Sequence, residues 1–401
     1  MLKGKTVLLG ITGGIAAYKS ADLVSKLKKA DVNVDIIMTE AATKFVTPLT
    51  FQTMSQNRVH VEMFGLEDEM NVEHISLAQR ADVILIAPAS ANTISKIANG
   101  IADNLLTTTI LASKARIIFA PAMNSTMYLN EATVENIEKL KSRGHIFLKP
   151  GEGRLACGDI GPGKMSEPIE IIDALEEFFT QKDFIGKKVI ITAGPTIEPI
   201  DPVRYITNHS SGKMGYSLAK EFRNRGAEVI LVTGPSSLDV PLNIQTIRVN
   251  TTLEMLDAVK MNFEFCDILI KSAAPSDYRV ENYQNKKIKK SPDKDEKLTI
   301  DLVKNPDIAK YFGEIKRDKI MIGFAAETNN LIEYAKKKLI EKNFDFIVAN
   351  DLTKAGAGFK EDTNIVTIIH KNGEIDDLPI MKKALLSKVI ADKALNLIDK
   401  G

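Results

Sequence analysis

The chain is poor in cysteine and in net charge of either sign. Its 401 residues include two cysteines, 53 basic and 52 acidic side chains, and a formal net charge of +1. Cys157 and Cys266 lie far apart without a CxxC or Cys/His spacing, which excludes a disulfide framework and a cysteine-rich metal site. The balanced charge excludes a global field that would draw the chain to nucleic acid or to an anionic membrane.

Long apolar runs are also missing. The stretch 83–87 is among the longest, far short of the ~20 residues that a membrane-spanning helix needs. The polar start MLKGKTVLLG lacks a signal-peptide pattern. We therefore expect a cytoplasmic protein that binds neither membrane nor nucleic acid. With 44% hydrophobic and 26% charged residues the composition is that of a globular protein, and the length suggests two to three domains.

Short apolar runs alternate with longer amphipathic segments, which is typical of parallel sheets covered by helices. In the first half this pattern predicts helices at 16–29, 132–143 and 170–179, and strands at 6–9, 34–38, 83–87, 117–120 and 146–148. The segment 149–165, KPGEGRLACGDIGPGKM, is rich in glycine and proline. It is predicted to be a mobile loop without regular structure.

The second half repeats features of the first. GKKVII at 186–191 matches GKTVLL at 4–9, and DILIKSAAPS at 267–276 matches DVILIAPAS at 82–90. We interpret the chain as two Rossmann-like, doubly wound α/β domains, residues 1–182 and 183–401. The second is predicted to have helices at 215–225, 253–263 and 331–342, a Lys-rich loop at 282–297, and strands at 186–191, 229–232, 268–271, 321–324, 346–348 and 365–369.

Ligands of open α/β sheets bind beyond the carboxyl ends of the strands, so the turns there are the candidate sites. GITGGIAAYK places Gly10, Gly13 and Gly14 between a strand and a helix. The spacing is not GxGxxG, so it favours a phosphate-bearing cofactor over NAD in particular, with a plain tight turn as the alternative. HSSGKMG at 209–215 resembles a P-loop but has Met214 where Ser or Thr must bind magnesium, which excludes that chemistry.

Further candidates in the first half have two interpretations each. Ser90, Asn92 and Thr93 could bind phosphate or cap a helix, and Asn124 could share a cleft with His74 and Ser90 or act as a cap. His74 is either a catalyst or a surface residue.

The two thiols are predicted to differ. Cys157 lies in the glycine-rich loop and is a candidate reactive thiol on a lid. Cys266 precedes an apolar strand and is expected to be buried and inert.

The second half has many hydrogen-bond-donating side chains between residues 201 and 215. Arg204, Asn208, His209, Ser210, Ser211 and Lys213 precede a helix and suit an anionic substrate. Asp277 could serve a magnesium-bound polyphosphate or cap an element. KKIKK at 286–290 fits polyphosphate better than nucleic acid in a neutral chain. Lys338 and Lys342 share a helix face that a nucleotide could use.

A family resemblance rests on several motifs that occur in order. They are EHISLAQRADVILIAPASANT, PAMNSTM, ACGDIGPGKM, RYITNHSSGKMG, KSAAPSDYR, KIKK, KNPDI and GFAAETNN. From the first glycine turn to about residue 352 the chain resembles the bifunctional phosphopantothenoylcysteine decarboxylase/phosphopantothenate–cysteine ligases of bacterial coenzyme A synthesis. It departs from the family's PAMNxxMW pattern in having Tyr128 where Trp is common.

The resemblance implies that the first domain is a flavodoxin-like, FMN-dependent decarboxylase. By position, His74 is its acid/base, Asn124 holds the substrate carboxylate, and Cys157 protonates the enethiolate intermediate. The implied FMN-binding residues are Gly13, Gly14, Ile15, Thr39, Ser90, Asn92, Thr93 and Met123.

For the second domain the resemblance implies a CTP-dependent ligase that acts through an acyl-cytidylate. Asn208 would stabilise this intermediate, and Arg204 and Lys287 would neutralise developing charge. Asp277 would meet Mg²⁺ on the CTP phosphates. The implied CTP-binding residues are Lys271, Ser272, Ala273, Ala274, Asp277, Lys287, Pro306, Asp307, Ile308, Ala309, Phe324, Lys338 and Lys342.

The family also implies a homo-oligomer with trimeric decarboxylase contacts and dimeric ligase contacts, in which some residues serve a neighbouring chain's pocket.

Two other classes of function are alternatives to this interpretation. An NAD-dependent oxidoreductase is weakened by the missing GxGxxG, and by Thr39 where an acidic residue should close the second strand. A nucleic-acid-binding module would rest on KKIKK alone.

Overall fold

The chain forms two compact units, Met1–Phe179 and Thr180–Gly401. The computed structural model describes residues 2–63, 73–156, 158–289, 298–327, 330–351, 358 and 361–398. Within those residues, no helix combines the length and apolar content that a bilayer crossing requires.

The N-terminal unit is built on a parallel sheet of six strands in the order β3-β2-β1-β4-β5-β6. Its strands are β1 Thr6–Ile11, β2 Asn33–Met38, β3 Val59–His60, β4 Val83–Ala89, β5 Ile117–Pro121 and β6 Ile146–Phe147. If the two-residue edge strand β3 is left out and the other five strands are counted in chain order, the sheet has the 2-1-3-4-5 order of flavodoxin-like folds. The order reverses direction between β1 and β4, which predicts a ligand site beyond their carboxyl ends.

Helices cover both faces of this sheet, and the side chains of β1 show why. Val7, Leu9 and Ile11 belong to one apolar cluster and Leu8 to the other, because alternate residues of a strand point to opposite faces. The helices are α1 Ala17–Lys29, α2 Glu40–Thr43, α3 Pro48–Ser55, α4 Glu73–Arg80, α5 Ala91–Asn99, α6 Leu105–Leu111, α7 Ser125–Leu129, α8 Glu131–Ser142 and α9 Pro168–Phe179.

The prediction that 149–165 has no regular structure is wrong. β7 Gly151–Arg154 and β8 Ile160–Lys164 form an antiparallel hairpin with an irregular register at Gly151 and Glu152. The Met123 N–H donates to the Gly163 carbonyl at 3.0 Å, and a Cβ added at Gly163 would lie 2.2 Å from the Met123 oxygen. The glycines therefore serve close packing of the hairpin on the segment after β5, and a local count of glycines cannot show that.

The C-terminal unit has an eight-stranded sheet in the order β13-β12-β9-β14-β17-β18-β20-β21. The first six of these strands, from β13 to β18 in sheet order, pair in parallel. β20 pairs antiparallel with β18, and β21 pairs antiparallel with β20. The sheet strands are β9 Lys188–Ala193, β12 Glu228–Thr233, β13 Gln245–Arg248, β14 Ile268–Lys271, β17 Ile320–Glu327, β18 Phe346–Asp351, β20 Val366–His370 and β21 Ile375–Asp377. The order reverses between β9 and β14, as in a Rossmann fold.

Three two-stranded ribbons accompany this sheet. They are β10 Ile197–Pro199 with β11 Tyr205–Thr207, β15 Tyr278–Val280 with β16 Leu302–Lys304, and β19 Thr363–Asn364 with β22 Met381–Lys382. The helices of the unit are α10 Lys213–Asn224, α11 Thr252–Phe263, α12 Ile308–Ile315, α13 Leu331–Glu341 and α14 Lys383–Ile398. The described part of the Lys-rich stretch, 282–289, contains neither helix nor strand, as predicted.

The core of this unit repeats the arrangement of the first. Val189 and Ile191 of β9 face one apolar cluster, and Ile190 faces the other. Two doubly wound α/β units are therefore present, and the predicted fold class is confirmed.

Candidate functional sites

The N-terminal unit has a cavity of about 1080 Å³ where its sheet order reverses. The turns after β1, β2, β4 and β5 and the hairpin β7–β8 line it. All eight residues predicted to bind the cofactor lie in this lining, and so does Asn124: Gly13, Gly14, Ile15, Thr39, Ser90, Asn92, Thr93, Met123 and Asn124. The structure thus brings together residues that are more than one hundred positions apart in the chain.

The turn after β1 exposes bare backbone to the cavity. A Cβ at Gly13 would lie 2.5 Å from the Cβ of Ala41, whereas one at Gly14 would meet nothing within 4 Å. Gly13 is therefore required for packing inside the protein, and Gly14 leaves room on the cavity side. The turn leads directly into α1, whose N-terminal N–H groups favour an anion.

The polar residues after β4 are fixed by hydrogen bonds. The Ser90 N–H donates to Thr12 Oγ1 at 2.9 Å, and the Thr93 N–H donates to Ser90 Oγ at 3.3 Å. Ser90 is thus the N-cap of α5. Capping and ligand binding were alternatives in the sequence, and here one residue both caps the helix and lines the cavity.

Asn124 likewise caps α7 at the cavity wall. Its Oδ1 accepts from the Thr126 N–H at 2.8 Å, and its Nδ2 donates to Asp159 Oδ2 at 2.7 Å. Asp159 belongs to the turn of the hairpin, so the Asn124 amide joins the hairpin to the segment after β5. Cys157, two positions before Asp159 in the sequence, lies outside the described residues.

Four cationic side chains line the cavity, and two of them are neutralised. Lys19 pairs with Glu167 at 2.6 Å, and Lys96 pairs with Asp103 at 2.5 Å. The Lys96 ammonium lowers the pKa of the Asp103 carboxyl below its usual value. Arg154 and Lys164, both on the hairpin, line the cavity as well. Sequence reasoning missed these two because it treated their segment as an unstructured loop.

His74 is placed apart from these residues. It lies in the first turn of α4 and is not part of the cavity lining of its own chain, so the predicted cleft shared by His74, Asn124 and Ser90 holds only the last two. The neighbouring Glu73 contacts His60 Nδ1 at 2.5 Å and fixes the start of α4 against β3.

In the C-terminal unit, Arg204 and Lys287 come to one place through a residue that the sequence did not single out. Arg204 pairs with the buried Asp201 and donates to the Ile288 carbonyl at 2.9 Å, and the Ile288 N–H donates to Asp201 at 3.1 Å. The Arg204 guanidinium holds the pKa of Asp201 far below its usual range. Asp201 therefore anchors the basic segment that carries Lys287.

Asn208 is held against the segment after β14. Its Nδ2 donates to the carbonyls of Ala274 and Pro275 at 3.0 and 3.2 Å. The Ser272 hydroxyl donates to the Thr192 carbonyl at 2.6 Å, and the Ala274 N–H donates to Gly194. These bonds line up the turns after β9 and β14, the two strands between which the sheet order reverses.

A buried polar network below these turns was also missed. The carboxylate of Glu198, 2% exposed, accepts from the backbone N–H and the hydroxyl of Thr252 at 3.0 and 2.7 Å. The Ser276 N–H donates to Thr196 Oγ1 at 3.0 Å. Glu198 was unremarkable in the sequence because Thr252, which donates two hydrogen bonds to it, lies more than fifty residues away.

Three predicted CTP-binding residues meet at the end of β14. Lys271 is its last residue, Asp307 is the N-cap of α12, and Lys342 follows α13 and pairs with Asp307 at 3.0 Å. Burial opposes ionisation of Asp307, but the Lys310 N–H and the Lys342 ammonium lower the pKa of its carboxyl overall. Burial lowers the pKa of Lys271 to about 7.

The other predicted residues of this set are placed less uniformly. Ile308 and Ala309 are buried in the core, Phe324 and Lys338 are half-buried, and Pro306 precedes α12. Asp277 is exposed and caps no helix, so the capping alternative is wrong. No group of three or more His, Cys, Asp or Glu side chains suited to a metal occurs among the residues that the structure describes.

Cys266 is buried, as predicted. Its thiol donates to the Phe263 carbonyl at 3.2 Å, and burial raises its pKa to about 11. It is therefore a poor nucleophile at neutral pH.

Comparison with known proteins agrees with these two units. The Flavoprotein family model matches residues 1–180, and the model for the DNA/pantothenate metabolism flavoprotein C-terminal domain matches residues 184–397. The coenzyme A biosynthesis bifunctional protein CoaBC of Bacillus subtilis is 48% identical over 387 residues, 96% of this chain and 95% of that protein. Its Escherichia coli counterpart is 43% identical over 401 residues, 100% of this chain and 98% of that protein.

A solved structure, the C-terminal domain of a CoaBC protein, is 42% identical, covers 55% of this chain and 100% of its own, and gives a TM-score of 0.48. By its fold and its family models the chain is a two-domain flavoprotein. It belongs to the family of bifunctional coenzyme A biosynthesis proteins, and the resemblance seen in its motifs is confirmed.

Proposed function

We propose that the chain makes 4′-phosphopantetheine in two steps. The C-terminal domain, 183–401, joins 4′-phosphopantothenate to L-cysteine at the expense of CTP, and the N-terminal domain, 1–182, decarboxylates the product with FMN. The main support is the N-terminal cavity, which gathers all eight predicted cofactor residues and Asn124 in a chain of this family.

The cavity suits FMN in size and chemistry. Its volume of about 1080 Å³ is that of a site for a large ligand. Bare backbone at Gly14 and the N-termini of α1 and α5 offer N–H groups to a phosphate. Gly13, Gly14, Ile15, Thr39, Ser90, Asn92, Thr93 and Met123 would hold the cofactor.

Bound FMN supplies the electron sink that loss of carbon dioxide from a cysteine carboxylate requires. Asn124 would donate a hydrogen bond to that carboxylate, since its amide is already oriented by Thr126 and Asp159. Cys157 would protonate the enethiolate, and its neighbour Ala156 lines the cavity. His74 would act as acid/base in the cavity of a neighbouring copy, because it does not line the cavity of its own chain.

The hairpin cations give the cavity a place for the substrate's phosphate. Lys19 and Lys96 have carboxylate partners, whereas the side chains of Arg154 and Lys164 make no hydrogen bond or ion pair among the described residues. Both lie on the hairpin that packs against Asn124. We infer that they hold the phosphate of 4′-phosphopantothenoylcysteine.

In the ligase reaction a carboxylate oxygen of 4′-phosphopantothenate attacks the α-phosphorus of CTP, and pyrophosphate leaves. The cysteine amine then attacks the acyl carbon and displaces CMP, so two displacements replace one difficult step. Asn208 would stabilise the acyl-cytidylate, and Arg204 and Lys287 would offset charge in the two steps. Their proximity through Asp201 and Ile288 supports this arrangement.

Mg²⁺ would neutralise the triphosphate. The described residues offer no dedicated carboxylate cluster, so the metal would be held chiefly by CTP, with Asp277 as one protein ligand. The CTP-binding residues would include Lys271, Ala273, Asp307, Phe324, Lys338 and Lys342. The product of this domain is the substrate of the other, which accounts for the two activities in one chain.

Product analysis tests the two activities together. Purified protein is mixed with 4′-phosphopantothenate, L-cysteine, CTP and Mg²⁺, and products are identified by mass spectrometry with a control lacking CTP. 4′-Phosphopantetheine formed only with CTP is the expected result. The phosphopantothenoylcysteine conjugate alone would contradict the decarboxylase assignment once FMN has been resupplied, and no product at all would contradict both.

The shared-cavity assignment has its own test. His74→Asn and Asn124→Asp variants, each expected to be inactive in decarboxylation, are coexpressed with different tags and purified as mixed oligomers. Activity should return, because some cavities then combine an intact His74 from one copy with an intact Asn124 from another. Mixed oligomers that stay inactive would place His74 and Asn124 in the same chain's site or outside the mechanism.

A further inference from the structure

Lys271 is a buried lysine without a partner. Its side chain ends β14, it is 6% exposed, and its Nζ has no hydrogen-bond partner among the described residues. An ammonium in this position would lose water without gaining a counter-ion, which is costly.

The groups around Lys271 do not supply that counter-ion. On the flanking strands its register neighbours are Thr192 and Gly323, neither of which titrates. Asp307 at the start of α12 is the carboxylate that acts on it, but Asp307 already pairs with Lys342 at 3.0 Å. Burial lowers the pKa of Lys271 to about 7, Asp307 partly opposes this change, and Lys342 adds to it.

Lys316 in the same unit shows the contrast. It is equally buried, at 6% exposure, yet its Nζ lies 2.7 Å from both carboxylate oxygens of Asp345. The fold therefore does provide a full counter-ion for a structural lysine. Lys271 lies at the end of β14, where ligands of such sheets bind. No side chain among the described residues supplies the negative charge that its ammonium form needs, so a ligand is the source that fits this position.

We propose that Lys271 is an uncharged amine in the free protein and takes up a proton when a nucleoside triphosphate binds, so that nucleotide binding and proton uptake are one event. This inference rests on the proposed CTP-binding function of the C-terminal unit. The polyphosphate brings the negative charge that makes the ammonium form favourable. A neutral lysine spares the free protein an isolated buried charge and still provides a cation once the nucleotide is present.

The linkage has a definite sign. Below pH 7 Lys271 is already protonated, and binding takes up no proton through it. Above pH 7 the amine must be protonated on binding, so the affinity for CTP falls by up to about tenfold per pH unit until the pKa of the complex is reached.

Calorimetry of the full chain measures the proton directly. Mg·CTP, without the other substrates, is titrated at pH 8 into the protein in several buffers of different ionisation enthalpy, and the slope of the observed enthalpy gives the protons taken up. Wild type should take up about 0.9 proton, the fraction of a group with a pKa near 7 that is neutral at this pH. Lys271→Met should take up none. The exposed Lys260→Met serves as the matched control and should behave as wild type.

Two further measurements test the inference without relying on the Lys271→Met variant alone. Lys271→Arg, with a permanently charged side chain, should bind CTP without proton uptake at any pH. In wild type the uptake should disappear at pH 6. CTP binding with the same proton uptake in wild type and Lys271→Arg would overturn this inference and leave the nucleotide site standing. Absence of any CTP binding to wild type would instead overturn the proposed ligase function.

Discussion

Both units are doubly wound α/β sheets, but they place different chemistry beyond the point where the sheet order reverses. The N-terminal unit has a preformed cavity lined by bare backbone and small polar groups, and two of its lysines are neutralised by Glu167 and Asp103. In the C-terminal unit the carboxylate of Asp307 is paired with Lys342, and the buried amine of Lys271 at the end of β14 has no partner among the described residues.

This difference suits two kinds of ligand. In the N-terminal cavity Lys19 and Lys96 are already paired, so shape and backbone donors largely determine what binds beside α1 and α5, and the hairpin cations Arg154 and Lys164 are left for a phosphate. A buried lysine without a counter-ion favours its neutral form in the free protein, and a bound anion is needed to make the ammonium form favourable. The first arrangement fits a resident cofactor, and the second fits a nucleotide that must bind and leave in every cycle.

The strongest test of the comparison is the stability of Lys271→Met. In the unfolded chain Lys271 has its ordinary pKa of 10.5, and in the folded chain about 7, so the unfolded state binds the proton more tightly. The cost that the buried amine adds to the folded state is fully present below pH 7 and disappears as the pH rises toward 10.5. Lys271→Met should therefore raise the free energy of unfolding at pH 7, by roughly 5 kcal/mol at most.

Urea unfolding of the protein without ligands, at pH 7 and at pH 10, measures this effect. The gain should shrink strongly at pH 10. Lys316→Met, which removes the partner of the half-buried Asp345 carboxylate, should lower stability under the same conditions. A stability loss in Lys271→Met at pH 7 would show that Lys271 has a counter-ion after all.

Asn208→Asp should separate the activities of the two units. The variant places a carboxylate against the carbonyl oxygens of Ala274 and Pro275, which accept from the native amide. Ligation should fall by about 100-fold to 1000-fold, the usual loss when one polar group that stabilises a reaction intermediate is removed. Decarboxylation of supplied 4′-phosphopantothenoylcysteine should be unchanged. Equal loss of both activities would mean that the assignment of activities to domains is wrong.

Gly13→Ala tests the packing of the N-terminal turn. Its methyl group would lie 2.5 Å from the Cβ of Ala41, and overpacking of this kind typically costs about 1–3 kcal/mol. Thermal unfolding of flavin-free protein should therefore show a lowered Tm. Gly14→Ala is the control, because its methyl group meets nothing within 4 Å and should leave the Tm unchanged. Equal Tm values for the two variants would argue against the packing role of Gly13.

The smallest effect is expected at the hairpin. Arg154→Gln should raise KM for 4′-phosphopantothenoylcysteine by about tenfold, since one charge-assisted hydrogen bond contributes roughly 1.5–3 kcal/mol. The change in kcat should be smaller. Lys149→Gln, at an exposed lysine beside the hairpin and outside the cavity lining, is the control. A fall in kcat without a change in KM would contradict the role in binding phosphate.

Much of the fold could be predicted from the sequence because its signals are local. β1 and β4 are short apolar runs bounded by turn residues, and the repeated strand–helix units predict a parallel sheet covered by helices. The positions of Gly13, Ser90 and Asn124 beyond strand ends made them candidates, and the family resemblance implied that they belong to one site. The hairpin at 151–164 escaped prediction, because its glycines are explained by contact with Met123 and Ser125, about forty residues earlier.

The sequence by itself determined the two α/β units, the turns that form the sites and the family of the chain, since periodicity, turn residues and motif order are readable along one dimension. Only the tertiary structure decided which charges are balanced. Asp201 with Arg204, Lys19 with Glu167 and Asp307 with Lys342 are pairs that packing brings together. The charge state of Lys271 depends on burial and on the distance to these neighbours, and neither quantity exists until the chain has folded.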